Sequence, residues 1–479
     1  MSAAASPFDD QPVPRGGLGA VPLPHSRRGI ELAMLGFAIV IMAFAWAAAG
    51  FGLNGHVPSG LITYVGGFAV LLLGTHVAVR FLAPWADPLL LPLAGLLNGL
   101  GVVFIYRLQE SGRGKNPGIQ ISTLTTSSAL IQLMYTAVGL VAFVLVLAVI
   151  REPRVLQRYT YTLGTLGLIV LAIPAVLPDR FSYVNGAKVW ITIGGFSIQP
   201  GEFARIALAI FFAGYLVRKR DVLSLAGRRV MGIDLPRGRD LGPIAVIWIA
   251  SLLVLIFESD IGTSALFFGM FIVMLYLATQ RTSWMLIGVL MFVGGATIAQ
   301  LFIPHVHERF EVWLHPFAQA LGNGYQVVQS LEGMAFGGLF GAGLGQGEPF
   351  QTPLVQSDFI LSGFGEELGL TGLMAIVLIY GLITQRGLRA GVAVRDPFAK
   401  LLAGGLAFIF ALQVFIILGG VTNMIPLTGI TTPFLSQGGS SLIASWIVIG
   451  LLMRISDTAR RPAPQPIQDE GLTQVVRAG

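Results

Sequence analysis

The sequence predicts an all-α, polytopic membrane protein with about twelve transmembrane helices. Low charge, the length of the apolar runs and a one-sided distribution of basic residues predict it. Only 11% of the 479 residues are charged while 54% are hydrophobic, against roughly 25% charged in a soluble globular domain. So few charges cannot cover a water-facing surface, which excludes a water-soluble enzyme. Runs long enough to cross about 30 Å of hydrocarbon lie near 30–53, 61–79, 88–106, 129–150, 160–178, 201–217, 241–257, 261–280, 284–303, 359–385, 401–422 and 440–456.

An even number of spans puts both termini on one side, and the basic residues decide which. With the termini inside, the inner segments hold 23 of the 30 Lys and Arg residues. The outer loops hold only Arg107, Arg113, Lys115, Arg180, Lys188 and Arg309, and Arg205 lies within a span. This is the cytoplasmic bias of multi-pass proteins, and adding or removing one helix would put basic loops on both faces. The net charge of +6 records that bias and not nucleic-acid binding. Segments 1–29 and 457–479 read as disordered cytoplasmic tails. The first apolar run is too long for a signal peptide and is retained as a span. The chain has no cysteine, which excludes disulfides, thiolate metal sites and cysteine nucleophiles. No internal repeat supports an inverted-repeat transporter.

Once sidedness is set, the unusual polar residues gather outside, in 179–200, 258–263, 304–358 and 422–440. The first half of 304–358 mixes Phe310, Trp313, Phe317 and Tyr325 with His and Glu, as an interfacial amphipathic segment does. Its second half, Gly337 to Gly347, is glycine-rich. It is either a backbone cradle for an anion such as pyrophosphate or a tightly turned loop; no phosphate-loop lysine follows. Asp358 ends the segment, as an N-cap of the next span or as a general base at the membrane boundary.

Glu366 and Glu367 lie about 12 Å further along the helix, too far for a carboxylate dyad, and read as anchors to polar backbone. Asp260 either caps the span that follows or holds a metal or a sugar. Glu202 and Arg205, at i, i+3, neutralise each other inside the membrane. Lys188 is an interfacial anchor or a cation for a phosphate-bearing headgroup. His305, His307 and His315 lack the helical spacing of a zinc site, and no GxSxG nucleophile motif is present.

At these same residues the chain resembles the SEDS family (shape, elongation, division and sporulation), whose members are membrane peptidoglycan glycosyltransferases. The motifs, in order, run from Gly186-Ala-Lys188-Val-Trp190 to Gln199-Pro200-Gly-Glu202; Asp260-Ile-Gly262-Thr263; Gly324-Tyr325-Gln326-Val-Val-Gln329-Ser330; Gly341-Ala-Gly343-Leu-Gly345-Gln-Gly347; Ser357-Asp358-Phe359 with Glu366-Glu367-Leu-Gly369; and Pro426-Leu-Thr428-Gly429 with Pro433-Phe434-Leu-Ser436-Gln437-Gly438-Gly439-Ser440. Together they cover about 160–456, a catalytic transmembrane core that includes the large loop 304–358. The helices of 30–159 then include an extra pair, which resembles the RodA-type members of actinobacteria more than the FtsW type. Gln356-Ser357, Glu258-Ser259, Gln437 and Arg205 depart from the family's usual residues without removing a carboxylate.

The resemblance implies that the chain polymerises lipid II for cell elongation and shape. Attack of a GlcNAc 4-hydroxyl on a polyprenyl-pyrophosphate-linked chain inverts the anomeric centre, with Asp358 as the catalytic base. It implies substrate contacts from Lys188, Trp190, Gln199, Glu202, Asp260, Tyr325, Gln326, Gln329, Ser330, Ser436, Gly438, Gly439 and Ser440. Lys188, Arg180 or the loop backbone would engage pyrophosphate. No tightly bound cofactor and no metal ligand is assigned, although a divalent cation, Mg or Mn, would suit the leaving group. The implied partner is a class B penicillin-binding protein, and the implied location is the bacterial plasma membrane with the active site outside. A lipid II flippase, an FtsW-like division polymerase and a non-catalytic scaffold are the competing readings.

Overall fold

A computed structural model describes residues 28–58, 60–114, 128–182, 188–193, 196–223, 226–230, 233–236, 249 and 260–462. Eleven helices among them are long and apolar enough to cross a membrane. The long helices are α1 (Arg28–Asn54), α2 (Gly67–Leu82, led by a π-turn, Ile62–Gly66), α3 (Leu90–Gly114), α4 (Ser128–Val149) and α5 (Thr160–Val176, led by the 3-10 segment Pro153–Tyr159). After the short α6 (Asp179–Ser182) come α7 (Pro200–Leu223), α8 (Ile261–Thr279) and α9 (Thr282–Phe302). Two shorter helices, α10 (Pro304–Leu314) and α11 (Tyr325–Gly337), precede α12 (Ile360–Ala393), α13 (Pro397–Val421) and α14 (Gly439–Arg460). Two hairpins, β1 (Ile191–Ile193) with β2 (Phe196–Ile198) and β3 (Ala226–Val230) with β4 (Ile233–Pro236), are antiparallel. The chain is a multi-pass, all-α membrane protein. The predicted span 241–257 lies, apart from Ile249, outside the described residues.

Composition explains where the helices begin. Asp260 caps α8, its carboxylate accepting the Thr263 amide at 2.9 Å. Asp396 caps α13 by accepting the Ala399 amide at 2.9 Å, with Pro397 in the first turn, where a missing N–H costs nothing. The centre of the bundle is made by α3, α13 and α14, whose spans are mostly buried, whereas α9 turns most of its apolar surface outward. Trp446 of α14 is fully buried against Phe434, ring centroids 5.1 Å apart, and donates its indole N–H to Asn98 of α3 at 3.1 Å.

Charges inside the bundle are paired, as the cost of an isolated ion in hydrocarbon requires. Arg28 and His76 converge on the buried Glu31. The corner between α2 and α3 is fastened to the end of α14: the Asp87 carboxylate accepts from Arg460, and the Trp85 amide donates to Asp457 at 2.9 Å. Arg107, an outer-loop residue by sequence, instead lies inside α3, buried and paired with Glu367 of α12. A hydropathy reading stops at the first charge, but this charge is neutralised across the bundle, so the helix continues to Gly114.

That pair belongs to a larger device. Helix α12 is interrupted at Gly369 (φ 69°, ψ −173°), which frees backbone carbonyls where no water can satisfy them. The glycine-rich segment fills the break. Amides of Ala342 and Gly343 donate to the carbonyls of Glu366 and Glu367 at 2.9 Å each, and the Leu370 amide donates to Gly338 at 2.9 Å. The Glu367 carboxylate accepts the Gly345 amide at 3.2 Å, and that of Glu366 the Glu348 amide at 2.5 Å. A Cβ on Gly341 would lie 2.2 Å from the Glu367 carbonyl oxygen, at φ +83°, so glycine is required by both contact and conformation. The tightly turned reading of the loop is the one the structure adopts. The anchoring role read for Glu366 and Glu367 is also what they perform.

Candidate active site around Asp358

Asp358 lies in the turn that leads into α12, where Leu354 takes a left-handed conformation (φ +58°). A branched side chain is costly there, and the conformation is held because the Leu354 carbonyl accepts the amides of Ser357 (3.0 Å) and Asp358 (3.1 Å). Asp358 does not cap the helix: the N-cap is Phe359, with no side-chain capping hydrogen bond. The carboxylate is thus left for other work.

The turn is strapped to the segment before α14. Ser436 donates its hydroxyl to the Ser357 carbonyl at 2.5 Å and accepts the Thr432 amide at 2.8 Å. The Gln437 amide donates to the Gln356 carbonyl at 2.8 Å, and Gln132 of α4 donates to the Ser436 carbonyl at 3.0 Å. Ser436 therefore positions the turn that carries Asp358.

Gly429 (φ +75°) marks where other groups meet Asp358. A Cβ there would sit 3.6 Å from Oδ2 of Asp358 and 3.8 Å from both terminal nitrogens of Arg309. Arg309 extends from α10 and donates to the Leu427 carbonyl at 2.6 Å. Asp260 lies close by, its Oδ1 3.4 Å from a Cβ built on Gly262, which also meets Thr428 and Ile430, the two neighbours of Gly429. Burial pushes the half-buried Asp358 carboxyl up to about 6. A Ser357 hydrogen bond and the Arg309 cation oppose the rise, and the Asp260 charge adds to it. A carboxylate with that value is a base near neutral pH.

Beside these groups an apolar cavity of about 440 Å3 runs between α8, α9 and α13, lined by Phe268, Phe292, Phe408 and Leu412 among others. Ile261, Phe310 and Thr428 also line it. Each is the chain neighbour of Asp260, Arg309 or Gly429, so the cavity reaches the polar cluster.

Other residues singled out by sequence have different places. Lys188 is 2.5 Å from Asp179 of α6, so its charge is already engaged. Trp190 sits, half-buried, just before β1. The Gln199 amide donates to the Ser440 hydroxyl at 2.9 Å, tying α7 to α14. Glu202 pairs with Arg205, which also donates to Gln413 at 2.8 Å. Ser330 is buried and donates to the Val421 carbonyl at 3.1 Å, while Gln329 donates to the neighbouring Glu332 at 3.0 Å. Tyr325 is exposed and Gln326 half-buried at the start of α11. Gly438 is the N-cap residue of α14, and a Cβ on Gly439 would meet the Tyr135 ring at 2.5 Å. The candidate site residue that sequence reasoning missed is Arg309, and its signal was present: it is the one Lys or Arg of 304–358.

The model of a family described as FTSW_RODA_SPOVE, cell cycle protein, matches residues 87–461. The chain belongs to the FtsW/RodA/SpoVE family. It is 48% identical over 445 residues to the peptidoglycan glycosyltransferase RodA of Mycobacterium tuberculosis (strain ATCC 25618 / H37Rv), covering 92% of each chain. Identity to a probable peptidoglycan glycosyltransferase FtsW of Trichlorobacter lovleyi is 31% over 379 residues, 77% of this chain and 93% of that one. A solved chain from a study of structural coordination of polymerization and crosslinking by a peptidoglycan synthase complex shares the fold. Its TM-score is 0.59 at 22% identity, covering 79% of this chain and 99% of that one. The SEDS resemblance and the preference for the RodA type agree with these relatives, and the chain is an enzyme of the glycosyltransferase class. Helices α1 and α2 precede residue 87 and stand outside the family match.

Proposed function

We propose that this SEDS glycosyltransferase polymerises lipid II by a single inverting displacement with Asp358 as base. The observation that carries the reading is a half-buried carboxylate, raised to about 6, in a polar cluster whose chain neighbours line an apolar cavity that suits a polyprenyl chain. The incoming GlcNAc 4-hydroxyl gives its proton to Asp358 as its oxygen bonds to the anomeric carbon. The bond from that carbon to the pyrophosphate oxygen breaks, and the pyrophosphate leaves with the electron pair. Arg309 faces the charge that develops on the leaving group. Asp260 holds the start of α8 and, through its charge, helps keep Asp358 basic.

Among the described residues no group of three or more His, Asp or Glu is placed to hold a metal, and both oxygens of Asp260 accept from Thr263. These donors do not fit a resident divalent-ion centre, so no step is assigned to Mg or Mn. The proposed setting is the plasma membrane, with both termini cytoplasmic and Asp358 on the outer side. The proposed role is elongation and cell shape, in company with a class B penicillin-binding protein. The coupling of polymerization and crosslinking in the complex that shares the fold supports that pairing.

Two outcomes test the arrangement. Polymerisation of purified lipid II should fall as pH drops through about 6, because only the unprotonated carboxylate accepts the proton; a rate independent of pH between 5 and 8, as a rough window around the carboxylate and histidine range, would contradict it. Arg309 holds the Asp358 value down, so Arg309→Gln should slow turnover about tenfold or more and move the acid limb to higher pH. An unmoved limb would remove Arg309 from the site.

A further inference from the structure

We propose that the face of the bundle opposite Asp358 carries a binding site for the phosphate headgroup of an anionic phospholipid, built by Arg154, Arg158 and Arg218. These arginines, with Glu152, Val155 and Gln157, line a cavity of about 510 Å3 between the 3-10 segment Pro153–Tyr159 and the end of α7. That volume accommodates a small ligand. The opposite placement follows from α7 itself. Its first residues are tied to Ser440 near the Asp358 turn, and Arg218 lies about 27 Å further along at 1.5 Å per residue. On the orientation proposed above, this is the cytoplasmic leaflet.

Among the described residues, the three arginines that line the cavity outnumber its one lining carboxylate, Glu152. Among the described residues Arg158 and Arg218 form no ion pair, and Arg154 reaches Asp396 only at 3.9 Å. Arg218 is held in place by the Tyr161 ring, its guanidinium carbon 5.1 Å from the centroid. A cation held over a ring in this way keeps N–H donors that a phosphate can use. Planar donors of this kind match phosphate oxygens.

The surroundings favour a lipid over a soluble anion or an acidic protein segment. Val155, Tyr159 and Tyr161 flank the arginines and are exposed, and tyrosine is a residue type enriched at membrane boundaries. Along α5 the exposed surface continues as Leu168 and Ile169, one face with Tyr161. A headgroup in the cavity would therefore have its acyl chains against an apolar strip. Basic pockets at the cytoplasmic boundary are where anionic headgroups bind.

The test uses the full chain, purified in detergent with phosphatidylcholine and then offered phosphatidylglycerol, with bound lipid counted by native mass spectrometry. The wild-type chain should retain phosphatidylglycerol over phosphatidylcholine. Arg158→Gln with Arg218→Gln should reduce that retention by about tenfold or more, since each arginine near an anionic surface contributes roughly fivefold. The corresponding double lysine variant, which keeps the charge, should bind within about threefold of wild type. Equal retention of the two lipids by the wild-type chain overturns the proposal whether or not the glutamine variant folds. Inorganic phosphate or hexaglutamate binding as tightly as phosphatidylglycerol also overturns it, by assigning the site to a free anion or to an acidic protein segment.

Discussion

Asp358→Asn is expected to reduce polymer formation from purified lipid II by at least about 100-fold, the scale of a lost general base. The amide keeps the size and the hydrogen-bonding reach of the side chain, so the turn strapped by Ser436 and Gln437 should persist. What it removes is the acceptor for the hydroxyl proton. The same substitution should change stability in a direction that a structural role would not produce. The folded-state value of Asp358, about 6, stands above the ordinary 3.8, so the folded chain holds this proton more tightly than the unfolded one. The buried charge therefore costs stability in full above pH about 6, and the cost disappears below about 4. Asp358→Asn should raise Tm at pH 8 and lose that gain at pH 4. An inactive variant with a lowered Tm at pH 8 would point to a damaged turn and not to a missing base. A fully active variant would end the assignment.

Arg107→Leu should be the most damaging of the single changes to the fold. Arg107 and Glu367 are both buried, and removing one partner leaves an uncompensated charge, a loss of about 3–5 kcal/mol. The damage extends beyond the pair. Arg107 also donates to the Gly347 carbonyl, so the loop that fills the break in α12 loses that tie, and Glu367, which accepts the Gly345 amide, is left without its counter-ion. Replacing both partners, Arg107→Leu with Glu367→Met, removes the stranded charge and should recover part of the stability, a coupling that a double-mutant cycle reads directly. Thermal unfolding in detergent or nanodiscs measures all four members of the cycle. A single variant within about 1 °C of wild type would be inconsistent with a buried pair of this size.

Much of the architecture was readable without coordinates because the bilayer imposes a length and a composition on every spanning helix. The predicted run 129–150 is α4, 128–149, and 261–280 is α8, 261–279. The helices α3, α7 and α12 run on to 114, 223 and 393, past predicted ends at 106, 217 and 385; at α3 an internal charge looked like a loop. The capping reading of Asp260 was equally legible, since an acidic residue three positions before a threonine amide is a local pattern. The capping reading of Asp358 was local too, and it failed because the preceding turn places Phe359 at the helix boundary.

The sequence by itself determined that this is a multi-pass membrane protein, that its basic residues favour one face and that it carries the ordered motifs of the SEDS family. These are properties of hydropathy, charge and spacing, which need no partner in space. Only the tertiary structure decided what the motifs do. It spent the amides of the glycine-rich loop on the broken α12, engaged Lys188 with Asp179, made Ser436 a strap and brought Arg309 from α10 to face Asp358 across Gly429. Arg309 and Asp358 lie far apart in the chain, and no local signal records such a pairing. The value of each polar group in a low-dielectric bundle depends on which other group packing delivers to it.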